Sequence, residues 1–176
     1  MRKVILFIAM SLDGYIAKKD GSVDWLSGQE PARDDMVAYH EFIQGIDTVI
    51  IGWNTYDQIV TELSPDEWMY KDMTSYILTH KELSDTENIK FVNEDVCELV
   101  EKLRQEPGKD IWICGGATVI QPLIEKDYID RYHISIIPVI LGNGIRLFDI
   151  TERTKLLQLI KSQSYNGITD VIYERR

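Results

Sequence analysis

The 176-residue sequence predicts an α/β fold: a mixed, mostly parallel central sheet covered by helices and closed by an antiparallel C-terminal hairpin. Short β-rich apolar runs alternate with segments whose apolar residues recur at helical spacing. The first run, Val4–Met10, is apolar throughout, as in a strand buried on both faces of a parallel sheet. Two C-terminal runs, Leu156–Ser162 and Ile168–Glu174, are joined through Asn166-Gly167, a pair suited to a hairpin turn.

The elements follow in order. Asp13-Gly14 breaks the first strand, and Tyr15–Ala17 reads as a short extended piece. Residues 27–35 are polar and acidic, a loop. Met36, Tyr39, Phe42 and Ile43 recur at helical spacing, with Asp34 and Asp35 placed to favour the helix N-terminus. Thr48–Ile51 is a second buried strand ended by Gly52, with a helix starting at Asn54 or Thr55. Residues 61–73 read as a loop or short helix. Tyr76–Leu78 and Ile89–Val92 are the next strands. Val96, Leu99, Val100 and Leu103 form one helical face, stopped by Pro107-Gly108. Ile111–Cys114 is a strand that runs into Gly115-Gly116. Val119, Ile120, Leu123 and Ile124 give another helical face, with Pro122 inside it. Tyr132–Leu141 reads as a strand whose Pro138 predicts an edge position or a bulge. Gly142-Asn143-Gly144 turns the chain.

Composition bounds the function. Hydrophobic residues are 44% and charged residues 27%, which fits one ordinary globular domain over residues 1–176. The net charge is −10, and it is lopsided: residues 1–88 hold 7 bases and 16 acids, residues 89–176 hold 12 and 13. No basic stripe exists to bind nucleic acid or an anionic membrane. The longest apolar run is far below the roughly 20 residues of a spanning helix, and Ser11–Gly14 reads as a turn rather than a cleavage site, so the expectation is cytoplasmic. Cys97 and Cys114 make no disulfide framework, and with three His they make no zinc set, so no metal is expected.

The phosphate loop of NTPases, the G-x-G-x-x-G fingerprint and the G-x-S-x-G elbow are all absent. Two strand–glycine–helix junctions remain: Val49–Gly52 into Trp53-Asn54-Thr55, and Ile111–Gly116 into Ala117-Thr118. At such a junction the free backbone N–H groups and the positive helix end point the same way, so two of them in one sheet suit the two phosphates of a dinucleotide. The plain alternative is that each glycine simply makes a tight turn.

These residues resemble a known family. Ser11–Gly14, Asp24-Trp25-Leu26, Ile46–Gly52 with Thr55-Tyr56, Gly115-Gly116-Ala117, and Ile129-Asp130 through Pro138–Gly144 to Leu147-Phe148 lie in family order across nearly the whole chain. The chain resembles dihydrofolate reductase-like proteins, closest to the C-terminal reductase domain of the bifunctional riboflavin-biosynthesis deaminase/reductase. The resemblance implies a three-layer α/β/α dihydrofolate reductase-like fold and an NADPH-dependent reductase acting on a pteridine-, pyrimidine- or ribityl-type small molecule. It implies that Ala9 and Ile16 border the nicotinamide. Gly115, Gly116, Ala117 and Thr118 would line the pyrophosphate, and Gly52, Trp53, Asn54 and Thr55 the adenosine-side phosphates. Thr79, His80 and Lys81 would meet the adenosine 2′-phosphate. Asp24 and Trp25 would face substrate, and Glu30, following the loop tryptophan, would be the catalytic acid, with Asp34 or Asp35 as alternatives. It also implies a homodimer through Pro138–Phe148 and the C-terminal hairpin.

Two departures stand out. Many family members carry Arg directly after the first glycine, where Trp53 stands here, and Trp cannot fork a phosphate. Lys81 and His80 are the candidate replacements. The deaminase zinc pattern is missing. The plainer readings are that Glu30, Asp34 and Asp35 form a solvated acidic loop, that Asp13 caps its turn, that Trp25 is a packing aromatic, and that His40 and His133 are ordinary helix and strand residues. The rival function is a non-catalytic nucleotide- or small-molecule-binding module on the same fold.

Overall fold

The computed structural model describes residues 1–33, 35–151 and 153–176. Ten strands and four α-helices are labelled in chain order: β1 Val4–Ser11, β2 Tyr15–Ala17, α1 Val37–Ile43, β3 Ile46–Gly52, α2 Trp53–Gln58, β4 Thr74–Leu78, β5 Ile89–Val92, α3 Val96–Gln105, β6 Asp110–Gly115, α4 Ala117–Glu125, β7 Arg131–Ile137, β8 Ile145–Arg146, β9 Leu157–Tyr165 and β10 Ile168–Arg175. The wider π turn Ile59–Leu63 prolongs α2.

Eight strands form one sheet in the order β5-β4-β3-β6-β1-β7-β10-β9. The six from β5 to β7 are parallel. β10 runs antiparallel to β7, and β9 antiparallel to β10. β2 and β8 make a separate two-stranded ribbon.

Strand alternation sorts the core into two layers. Val4 and Leu6 of β1, Ile50 of β3 and Ile111 and Ile113 of β6 pack under α3 and α4. Ile5, Val49, Ile51 and Trp112 point to the other face, where Tyr39 and Phe42 of α1 and Tyr56 of α2 cover them. Each fully buried Leu or Ile contributes about 1.5–3 kcal/mol. Asp95 starts α3 by accepting the Cys97 and Glu98 N–H groups at 2.8 and 3.2 Å. α4 keeps its course through Pro122 because its buried stripe Val119, Ile120, Leu123 and Ile124 is held by the core.

Three local expectations are corrected. The strand predicted as Tyr132–Leu141 ends at Ile137, and it is an interior strand between β1 and β10, so Pro138 ends β7 rather than marking an edge or bulge. α2 begins one residue early, at Trp53, because Gly52 is itself the extended N-cap. α1 has no acid in its first turn; Asp35 bonds Asn166 instead, and Asp34 lies outside the described residues.

At the amino end of the sheet, Arg2 is almost wholly buried. Its guanidinium donates to the Lys109 carbonyl at 2.5 Å, to the Leu103 carbonyl at the end of α3 at 3.2 Å, and to Asp47 and Thr48 Oγ1. One cation thereby satisfies a helix C-terminus and ties β1, β3 and β6 together.

Candidate functional site

The topology places a crevice before any side chain is considered. The chain leaves β3 for α2 on one face, and leaves the neighbouring β6 for α4 on the other. Strands that part in this way open a cleft at their carboxyl ends. Both glycine junctions lie there, and they touch. A Cβ on Gly52 would sit 3.1 Å from Val119 Cγ2 and 3.5 Å from the Gly116 nitrogen. A Cβ on Gly116 would come within 3.3 Å of Thr55 Oγ1. Gly115 has φ +143°, open to glycine alone, and the Gly115–Gly116 peptide is cis. No side chain caps either helix start, and in α4 the Val119 N–H is already bonded to the Gly116 carbonyl at 3.0 Å. The amides of Ala117 and Thr118 therefore remain for an outside acceptor. A bare backbone cradle with free amides suits phosphate oxygens.

Ile8 and Ile16 lie on the α4 side of the sheet with the core, and Ala9, offset by one position on β1, lies on the α1 side with Phe7. Ile8 Cδ1 is 4.0 Å from a Cβ built on Gly115. On the far side of β3, Gly52 pairs with Leu78, so the segment after β4 stands beside the first junction. Thr79 is buried, His80 Nδ1 lies 2.7 Å from Asn93 Oδ1, and Lys81 Nζ sits 3.8 Å from the centre of the Trp53 ring. Asn54 and Thr55 follow Trp53 in the first turn of α2. Burial pushes the Cys114 thiol up to about 11, with the Tyr70 hydroxyl 3.7 Å from its sulfur, so it stays protonated at neutral pH.

Residues 18–33, with Asp35, strap across this end of the sheet. Gln58 Nε2 holds the Gly21 carbonyl at 3.1 Å, and Lys18 pairs with the exposed Asp24 at 2.7 Å. The far end is fixed by Asn166. Its side chain accepts the Glu30 N–H at 2.8 Å and donates to the Glu30 carbonyl at 3.0 Å and to Asp35 Oδ2 at 2.6 Å. Its carbonyl accepts the Gln29 N–H at 2.9 Å. The Glu30 side chain is exposed. Among the described residues, two strap atoms are buried without a partner: the indole Nε1 of Trp25 and Oδ1 of Asp35.

Sequence reasoning missed a buried polar row beneath the strap. Ala9, Ser135, Asp170 and Gln163 are register partners across β1, β7, β10 and β9. Asp170 is 1% exposed; Ser135 Oγ donates to it at 2.7 Å and Gln163 Nε2 at 3.1 Å. Burial pushes its carboxyl up, but the hydrogen bonds it accepts, those from Ser135 and Gln163 among them, outweigh that and hold it at about 2. His133 Nε2 is buried and unpartnered, 3.8 Å from Asp170 Oδ2. The available signal was an acid between Ile168 and Ile172 on the inward side of a strand. Asn166 was legible as a turn residue and not as the anchor of the strap.

YwjB of Bacillus subtilis (strain 168) is 43% identical over 159 residues, covering 88% of each chain. The crystal structure of a putative riboflavin biosynthesis protein from Shewanella sp. PV-4 superposes with a TM-score of 0.83 at 29% identity, covering 99% of each chain. A Thermotoga maritima diaminohydroxyphosphoribosylaminopyrimidine deaminase/5-amino-6-(5-phosphoribosylamino)uracil reductase shares the fold, with a TM-score of 0.72 at 15% identity over 99% of this chain and 57% of that one. The family described as the RibD C-terminal domain matches residues 2–173. With the dihydrofolate reductase-like sheet order and the paired glycine junctions already in view, that match over nearly the whole length means the chain belongs to the RibD C-terminal domain family.

Proposed function

We propose that the protein is an NADPH-dependent reductase of a small pteridine-, pyrimidine- or ribityl-type substrate. The observation that carries this reading is the contact between two uncapped strand–glycine–helix junctions at the carboxyl ends of β3 and β6. Gly115, Gly116, Ala117 and Thr118 would hold the pyrophosphate, and Gly52, Trp53, Asn54 and Thr55 the adenosine side. Thr79, His80 and Lys81 border the ribose phosphate. Ala9 and Ile16 would flank the nicotinamide. The bound cofactor supplies the hydride, and the chain's part is to bind, orient and exclude water. Trp25, with its unpartnered indole N–H, and Asp24 on the same strap would face the substrate. Of the acids proposed to supply the proton, Asp35, with a buried unpartnered oxygen, fits better than the exposed Glu30.

The test is calorimetric titration with NADPH and NADH, followed by NADPH consumption with pteridines and riboflavin precursors. Binding with turnover that is lost in Asp35→Asn supports the reading. Absence of binding to both cofactors overturns it. Binding without turnover supports the second reading, a non-catalytic module, which the exposed Glu30 favours.

The same reading takes the protein as a cytoplasmic homodimer without nucleic-acid or membrane partners. Among the described residues no helix is long and apolar enough to cross a membrane. The segment proposed for the dimer interface is pinned to its own chain by Asp13, which accepts the Leu141 and Gly142 N–H groups at 3.1 and 2.7 Å, yet Ile140 and Phe148 remain exposed. Light scattering at micromolar concentration checks it: a monomeric mass removes the dimer.

A further inference from the structure

The acids that tie this sheet together carry cations of their own. Asp130 sits against Arg104 and Arg175, Asp47 against Arg2, and Glu174 against Lys3 and Arg131. Asp170 is more deeply buried than these three, at 1% exposed. Yet among the described residues no lysine or arginine pairs with it. Its donors are the neutral Ser135 hydroxyl at 2.7 Å and the neutral Gln163 amide at 3.1 Å. His133 Nε2, at 3.8 Å, stands beyond hydrogen-bond reach. Burial, and then the Asp170 charge, push the Tyr165 hydroxyl up, so it stays neutral. A buried carboxylate held by neutral dipoles keeps its whole charge. Such an ion is costly to bury, and apolar side chains would join β7 and β10 without that cost.

Position gives the charge a use. Ala9, Ser135 and Asp170 are register partners on β1, β7 and β10. Neighbouring strands lie about 4.8 Å apart, so the carboxylate stands about 10 Å along the sheet from Ala9. On the cofactor reading above, Ala9 flanks the nicotinamide. Hydride transfer moves two electrons and a proton from that ring to the carbon of the substrate's C=N or C=O bond, and leaves one positive charge on the ring. The proton that completes the reduction goes to the substrate nitrogen or oxygen from a strap acid or water. We infer that Asp170 is the fixed counter-charge for the ring cation, and that it biases the site toward the oxidised cofactor. The inference rests on the cofactor reading. A negative charge already in place in the interior stabilises the cation as it forms, with no rearrangement at that moment.

Calorimetric titration with NADP⁺ and with NADPH separates this inference from the reading beneath it. Asp170→Asn and Asp170→Ser remove the charge, and either suffices if the other does not fold. Asp170→Glu keeps the charge. Ser135→Ala also keeps it and deletes one of its donors. Both charge-removing variants should weaken NADP⁺ relative to NADPH by about tenfold, the size of one unit charge acting over about 10 Å in a protein interior. Their NADPH affinity should stay as in the wild type. Asp170→Glu and Ser135→Ala should keep the wild-type ratio, Ser135→Ala despite a lowered melting temperature, a pattern that lost packing would not give. Equal weakening of both cofactors in the charge-removing variants overturns the inference and leaves the cofactor reading intact. So does an unchanged ratio, or the same shift in Ser135→Ala. A wild type that binds neither cofactor overturns both.

Discussion

The two ends of this sheet are finished in opposite ways. At the amino end, charges are matched. Arg2 is bonded on every nitrogen, Arg104 grips both oxygens of Asp130 at 3.1 and 2.8 Å, Arg175 reaches the same carboxylate at 2.7 Å, and Glu174 holds Lys3 and Arg131 at 2.8 and 2.6 Å. A depression of about 540 Å³ opens there beside Arg2 and Arg104; both guanidiniums have carboxylate partners, and of their nitrogens Arg104 Nε alone is buried without one. At the carboxyl end, two helix starts have no side-chain cap, glycines bare the backbone, and Trp25 and Asp35 hide atoms with no partner. Saturated polar groups hold a fold together, whereas unsaturated ones retain the capacity to bind.

Four substitutions test this division, in falling order of effect. Arg2→Met removes the ion pair to the part-exposed Asp47, which keeps the Lys109 N–H, and leaves the Leu103 and Lys109 carbonyls without their donor. At about 1–3 kcal/mol for each orphaned carbonyl, unfolding in urea should show a loss of about 2–4 kcal/mol, with NADPH affinity of the folded fraction unchanged. If binding failed while stability held, the amino end would not be a purely structural region.

Asp170 comes next. Its folded value of about 2 lies below the ordinary 3.8, so its stabilisation is full above pH 3.8 and lost as the pH falls toward 2. Asp170→Asn should be less stable than wild type by about 2 kcal/mol at neutral pH, and that gap should close across the acid window. A gap independent of pH would show that the carboxylate's charge is not what matters.

Gly116→Ala places a methyl 3.3 Å from Thr55 Oγ1 in a backbone conformation that alanine tolerates. It should cost about tenfold in NADPH affinity with little change in melting temperature. The smallest effect is expected for Asn166→Gly, which keeps the left-handed turn and deletes the strap anchor. A loss of about 1 kcal/mol should accompany faster amide hydrogen exchange at Gln29 and Glu30, while exchange in β9 and β10 stays as it was.

The division also explains what the sequence made legible. Periodicity reports burial, so β1, α3 and the C-terminal hairpin were readable to within a few residues. The glycine junctions were readable because glycine is demanded by close backbone approach. What stayed hidden was contact across long separations. Nothing local in Asn166-Gly167 announces a partner 136 residues away, and nothing around Lys81 announces Trp53. Pro138 misled because a proline after a run of β-formers reads as a fault inside a strand, when here it simply ends one. Trp25 and Asp35 were picked out through the resemblance, as the loop tryptophan and one of the acids after it, but whether their polar atoms find partners is decided only by the strap's path.

The position of β1 has a consequence for synthesis. Of the ten strands it is made before the other nine, and it includes the longest apolar run in this sequence. Its two neighbours are β6, where Val4 meets Ile111, and β7, where Ile5 meets Arg131. At translation speeds of about 5–20 residues per second, this sticky segment waits for several seconds with neither edge covered. A nascent or truncated chain ending before β6 therefore displays an unpaired β-rich stretch to chaperones and to other such chains. A central strand of the finished protein is the most hazardous piece of the unfinished one.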